Sequence, residues 1–320
     1  FNLFVFFEVL LAASYGLLLH GSGRARVSSG LHYISINLLA SSLFLIGAAM
    51  IYGVTGTLNF ADLALRVPQV LGPDAAILKA AALLLLVVFG FKAALAPLSL
   101  WLPATYSASS PPVAALFAIM TKVGVYSILR VHGVIFGIDA GALTESVAGW
   151  LLPLALTTSA LGVLGALAAP NMARMVAYLT VSSVGTILAG VALYSTQAWS
   201  AALYYTLHST LVIAALFLLV ELMERSRQVE LGPDQLDDGR EALPGFLEPL
   251  PGTNLDDEQE ALIGRAIPAA LAFLGVAFVV CTLIVAGLPP LSGFVAKLMV
   301  LDAVERFVDR EIKPVAQRLE

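Results

Sequence analysis

Four charged side chains fall inside long apolar runs: Glu8 in FVFFEVLLAA, Lys92 in LLLLVVFGFKAALAPLSLWL, Lys122 in LFAIMTKVGVYSI and Lys297 in SGFVAKLMVL. His208, in ALYYTLHSTLVIAAL, is an ionisable group at similar depth. A charge at the centre of a bilayer costs about 2.5–3.5 kcal/mol on insertion scales, so its default reading is functional. A lysine taken out of water can both take up and release a proton. Such groups on successive spans are what a proton relay across a hydrophobic barrier needs. The predicted relay is Glu8, Lys92, Lys122, His208 and Lys297, with Glu8 as counter-charge to Lys92. Snorkelling explains lysines near span ends, but apolar or small residues flank Lys92 on both sides. For Lys297 the exit point of the last span decides between the two readings. His208 could instead be a core histidine bonded to a carbonyl, to Tyr204 or to Tyr205. His20, His32 and His132 fall at span ends and read as interfacial, as do Glu221, Arg130 and Arg174.

Two proline breaks accompany the lysines. Pro97 removes a backbone donor and frees the carbonyl four residues back, on Ala93, so the helix should open there. LAPLSLW at Leu95–Trp101 is echoed by LPPLSGF at Leu288–Phe294, where Pro289 and Pro290 interrupt a second long apolar run. Paired interrupted helices in two halves are the sequence sign of an inverted-repeat transporter with its site at the breaks. The lysines lie on opposite sides of their breaks, so the echo is imperfect.

The elements that must hold these groups are membrane helices. Of 320 residues, 59% are hydrophobic and 12% charged, with a mean hydropathy of +0.91. Soluble domains run near 45–50% apolar and about 25% charged, so the chain reads as an all-α integral membrane protein. At about 20 apolar residues per crossing, eight spans are predicted: 1–19, 33–55, 77–100, 111–133, 148–169, 174–194, 199–222 and a broken 267–301. The single cysteine, Cys281, excludes a disulfide framework, a Cys-ligated cluster and a four-Cys zinc site. No nucleotide fingerprint is present, no cofactor or metal is expected, and no basic patch suggests nucleic acid.

The net charge of −5 is concentrated in residues 224–265, whose eleven acids and four bases give −7. That segment reads as an acidic, flexible linker, 223–266. Seven arginines flank one set of loops (Arg24, Arg26, Arg174, Arg225, Arg227, Arg240, Arg265) and three bases the other (Arg66, Lys79, Arg130), which places the first set, with the linker, in the cytoplasm. Residues 302–320 carry alternating acids and bases on an amphipathic pattern and are expected to lie along the membrane surface. The chain opens directly in an apolar helix without a charged n-region or cleavage site, so no signal peptide is expected.

Together FNLFVFFEVLLAASYGLLLHG, FGFKAALAPLSLWLPATYSASSPPVAALFAIMTKVGVYSILR and GLPPLSGFVAKL resemble the antiporter-like membrane subunits. These subunits occur in respiratory NADH:quinone oxidoreductase (complex I) and in multisubunit Mrp/Pha cation/proton antiporters. The opening segment most resembles the D-type subunits of the Mrp/Pha antiporters. The resemblance covers about residues 1–301. It implies a core of fourteen helices with two inverted five-helix repeats, so that this chain would begin at helix 5 and end with helix 12. Residues 1–133 would then be part of the first half and 147–301 the second, followed by the tail. It also implies roles for Glu8 (helix 5), Lys92 (helix 7), Lys122 (helix 8), His208 (helix 11) and Lys297 (helix 12). The implied activity is exchange of Na⁺ or K⁺ for protons, as one subunit of a hetero-oligomer in the cell membrane, with no catalysis of its own. The alternative is a proton-pumping subunit of a complex I-type enzyme, whose redox chemistry would belong to partner subunits. A third reading, an inert scaffold, conflicts with the retention of every costly buried charge.

Overall fold

In the computed structural model, residues 2–20, 23–137, 139–144, 147–231 and 269–309 are described. Among them every regular element is helical, and the chain is an all-α membrane protein. The helices are α1 Asn2–Leu19, α2 Arg24–Thr55, α3 Phe60–Arg66, α4 Pro73–Ala93, α5 Trp101–Ala108, α6 Pro111–Arg130, α7 Ala148–Leu167, α8 Met172–Val191, α9 Thr196–Leu231, α10 Ala269–Ala286 and α11 Ser292–Phe307. Seven helical segments among the described residues are long and apolar enough to cross a bilayer. One of these, Pro73–Ala108, contains α4, the break and α5. The last predicted span resolves into α10 and α11, separated at residues 287–291.

Local chemistry explains the boundaries. Pro73 and Pro111 open α4 and α6, where a missing N–H costs nothing. Asn59 and Asn171 cap α3 and α8, accepting from Ala61 N at 3.0 Å and Arg174 N at 2.8 Å. Outside the apolar spans, Arg66 donates to Asp62 one turn back at 2.8 Å and to the Thr55 carbonyl at 3.1 Å, pinning α3 to the end of α2. Two elements run further than the hydropathy suggested. α9 continues to Leu231, into the stretch read as linker, because Met223–Leu231 is rich in good helix formers. α11 continues through Asp302 to Phe307; Ala303 is buried there, and the Asp302 carboxylate accepts from Gln197 of α9 at 2.6 Å. The remainder of the acidic linker, 232–268, and of the tail, 310–320, lies outside the described residues.

α4 packs between α2 and α6; α6 packs on α4, α8 and α9; and α9 is the hub for α6, α8, α10 and α11. α7 lies along α8, and α5 reaches α8. The two interrupted helices therefore both pack on a shared α6–α8–α9 core. In a bilayer, close backbone approach and hydrogen bonding supply what the hydrophobic effect cannot. Gly124 is the sharpest instance. A Cβ there would lie 2.6 Å from Ala93 N and 2.8 Å from the Lys92 carbonyl carbon, so α6 runs directly against the last turn of α4.

Candidate functional site

The first break is a buried knot. α4 ends at Ala93; Ala94 takes a left-handed conformation (φ 59°), and Leu95 N returns to the Gly90 carbonyl at 2.8 Å. Two backbone groups beside the break are bonded by side chains. Trp101 Nε1 donates to the Phe91 carbonyl at 3.1 Å, and Ala96 N donates to Thr158 Oγ1 of α7 at 2.8 Å. Residues 93–96 are all buried. The Ala96–Pro97 and Pro289–Pro290 peptide bonds are both cis.

Lys92 sits on the final turn of α4, 7% exposed, where the carbonyl ends of the helix favour a cation. Its ammonium makes no hydrogen bond and lies 4.5 Å from the centroid of the Phe7 ring. A cavity of about 20 Å³ adjoins it, lined among others by Asn37, Tyr33, Trp101 and Tyr106. That volume suits one water. Glu8, one residue beyond Phe7, is half-buried and within electrostatic range of Lys92. Glu8 Oε1 accepts from Ser41 Oγ of α2 at 2.5 Å, and no hydrogen bond joins it to Lys92.

Lys122 lies two residues before Gly124, the position at which α6 touches the Lys92–Ala93 backbone, and its side chain reaches toward α8. Lys122 Nζ donates to Ser183 Oγ of α8 at 2.5 Å, and Ser183 donates onward to the Thr180 carbonyl at 2.7 Å. Lys122 is 5% exposed.

His208 and Lys297 meet at the second break. α10 ends at Ala286, Gly287 takes φ 80°, and Lys297 reaches back from α11 to donate to the Ala286 carbonyl at 3.0 Å. Its aliphatic stem crosses Gly287. His208 Nδ1 lies 3.4 Å from Ser292 Oγ, and His208 and Lys297 interact electrostatically. Gly293 holds α11 against α10: a Cβ there would lie on the Ile284 carbonyl and 3.1 Å from His208 Nε2.

The five sequence-selected residues thus fall into three places: Glu8 with Lys92, Lys122 with Ser183, and His208 with Lys297. Hydropathy gave no sign of Ser41, Thr158 or Ser183. Their signal was a hydroxyl on an otherwise apolar face. His132, read as interfacial from its place at a span end, is packed within the protein, 1% exposed, with neither ring nitrogen hydrogen-bonded. After Arg130 the helix widens into a π-turn, Val131–Ile135, which changes the direction of the following side chains and turns His132 inward.

Comparison with known proteins fits this geometry. A family model described as "NADH:quinone oxidoreductase/Mrp antiporter, TM" matches residues 1–308. The chain belongs to that family. Within it, the D subunit of a probable K⁺/H⁺ antiporter of Rhizobium meliloti is 48% identical over 95% of this chain and 54% of its own length. The D subunit of an Na⁺/H⁺ antiporter of Bacillus subtilis is 37% identical over 94% of this chain and 54% of its own. Among solved structures, one polypeptide of the Mrp complex from Dietzia sp. aligns with a TM-score of 0.75 at 35% identity, covering 97% of this chain and 52% of that one. The chain spans about half the length of the curated relatives it matches.

Proposed function

We propose that this chain is part of a membrane subunit of a multisubunit cation/proton antiporter, exchanging Na⁺ or K⁺ for protons and carrying the proton path through Glu8, Lys92, Lys122, His208 and Lys297. It would work in the cell membrane, assembled with other membrane subunits and drawing on the proton gradient, as a transporter rather than an enzyme. The observation that carries the reading is Lys92: a buried ammonium without a hydrogen bond, beside a water-sized cavity and in electrostatic range of Glu8. Stability does not account for such an arrangement, because an unsatisfied buried charge is a net cost. Proton exchange does account for it, since the group's protonation can change with that of its neighbour.

In this reading, protonation of Glu8 removes the charge that favours the Lys92 ammonium, and Lys92 then releases its proton through the adjoining water. Lys122, on the helix whose Gly124 meets the Lys92–Ala93 backbone, passes charge to the α8 hydroxyls. His208 and Lys297 complete the route at the second break, where the broken backbone offers carbonyls to solvate a proton. The halves 1–133 and 147–301 are taken as the two inverted repeats, with the acidic linker on the cytoplasmic side. The family description also covers NADH:quinone oxidoreductase. The antiporter reading is preferred because the relatives at 48% and 37% identity bear antiporter names.

The test is cation-induced pH change in membrane vesicles containing the whole complex, with Na⁺ and K⁺ compared. Exchange is expected for at least one of them, reduced at least tenfold by Glu8→Gln or Lys122→Met with assembly intact. Absence of exchange with either ion, or full exchange in both variants, overturns the reading. Flavin or iron–sulfur subunits co-purifying with the chain would favour the complex I alternative.

A further inference from the structure

The relay as proposed has a gap between Lys122 and His208, and the residues facing that gap are hydroxyls. Lys122 Nζ already donates to Ser183 Oγ at 2.5 Å. Thr186 is three residues further along α8, on the same face and one turn away. The Thr186 hydroxyl lies 3.5 Å from Ser159 Oγ of α7 and faces the phenol of Tyr205 on α9. Tyr205 is 2% exposed, and its ring is 6.1 Å from that of His208, one turn along α9. Beyond His208 come Ser292 Oγ, at 3.4 Å, and Lys297. Ser183, Thr186 and Tyr205 therefore stand between the lysine of α6 and the histidine–lysine pair at the second break, on helices of the shared core.

We infer that Ser183, Thr186 and Tyr205 form a hydroxyl bridge that carries protons between Lys122 and His208, with Tyr205 as its essential member. This rests on the proposed relay. A hydroxyl is both donor and acceptor. Each one takes a proton on a lone pair from the preceding group and releases its own to the next. Lys122 thereby loses one proton, His208 gains one, and the hydroxyls are unchanged apart from the direction in which they point. At rest Ser183 and Thr186 donate to the Thr180 and Ser182 carbonyls, at 2.7 and 3.1 Å, so each hydroxyl must rotate before a proton passes the helical turn between them. Tyr205 joins the two helices, since its ring leaves α9 beside that of His208 and its hydroxyl reaches Thr186 on α8, with its position fixed by packing. Ordinary packing would ask for a large ring at this site but not for its oxygen.

The test uses the whole complex in proteoliposomes, with proton flux followed by an internal pH dye in H₂O and D₂O. Tyr205→Phe removes only the oxygen. It is expected to lower exchange at least tenfold and to change the solvent isotope ratio, with assembly at the wild-type level. Thr186→Val, which keeps the volume, should slow exchange, and Thr186→Ser, which keeps the hydroxyl, should restore it. Wild-type flux and isotope ratio in Tyr205→Phe would overturn the bridge. So would equal loss in Thr186→Val and Thr186→Ser, which would mark a packing role. Lys92→Met run in parallel separates the two levels. If Lys92→Met abolishes flux while Tyr205→Phe leaves it intact, the bridge fails and the relay stands. If Lys92→Met leaves flux intact, the relay reading itself fails.

Discussion

The two interrupted helices share a wording, a proline and a lysine, yet the structure uses them differently. At the α4–α5 break residues 93–96 are buried, while Pro97 and Leu100 are exposed. The Phe91 carbonyl accepts from Ala94 N and Trp101 Nε1, the Ala96 N–H donates to Thr158, and the Lys92 ammonium has no hydrogen bond among the described residues. At the α10–α11 break the lysine itself satisfies the backbone, through the Ala286 carbonyl, and residues 288–290 are exposed. A lysine that caps a helix end contributes to folding. One that caps nothing is left with its electrostatic neighbours alone. The order of lysine and proline decides which: Lys92 precedes its break and points away from it, whereas Lys297 follows its break and can fold back over it.

Substitutions can separate these two arrangements. The largest effect is expected at Gly293, where a Cβ would fall on the Ile284 carbonyl. Gly293→Ala should prevent accumulation of folded subunit, read by size-exclusion of the detergent-solubilised complex. Gly124→Ala meets backbone less severely and should cost about 1–3 kcal/mol in a denaturation series, the usual range for overpacking. Lys297→Met removes a charged hydrogen bond and should destabilise by about 1.5–3 kcal/mol, lowering the thermal midpoint of the complex, whereas Lys92→Met should leave that midpoint unchanged or raised. Thr158→Val strands the buried Ala96 N–H and should cost about 1–3 kcal/mol, with Thr158→Ser recovering most of it. The smallest effect is expected at Asp62, exposed on α3, whose carboxyl is held below the usual carboxylate range by its hydrogen bond from Arg66 and then that from Thr57. Because that pKa is depressed in the folded chain, its contribution is present above about pH 4 and is lost as pH falls through the folded value. Asp62→Asn should leave exchange and assembly at neutral pH unaltered.

Much of this was legible in the residues themselves. A charge in an apolar run cannot be hidden, so Glu8, Lys92, Lys122 and Lys297 stood out, and Pro97 and Pro290 marked both breaks. The partners were less legible because a serine or threonine in a membrane helix costs little: Thr180, for example, returns its hydroxyl to the Val176 carbonyl and leaves no hydropathic trace. Ser183 and Thr158 look the same in sequence, and only tertiary packing brings Lys122 and Ala96 N to them. The burial of His132 was not legible, because its place at a span end says nothing of the helices packed around it. The near-contact of Glu8 and Lys92 was half legible. Both belong to the same side of the molecule, but Ser41, on a third helix, takes the carboxylate.

The central claim is that the Lys92 ammonium is kept in the core to exchange a proton and not to hold the fold. The direct measurement is cation-driven proton flux in vesicles carrying the complete complex with Lys92→Met. The account predicts flux at the level of vesicles lacking the complex, with subunit content and thermal midpoint no lower than in the wild type. Wild-type flux in that variant, or loss of the assembled complex with flux per remaining complex unchanged, would contradict it.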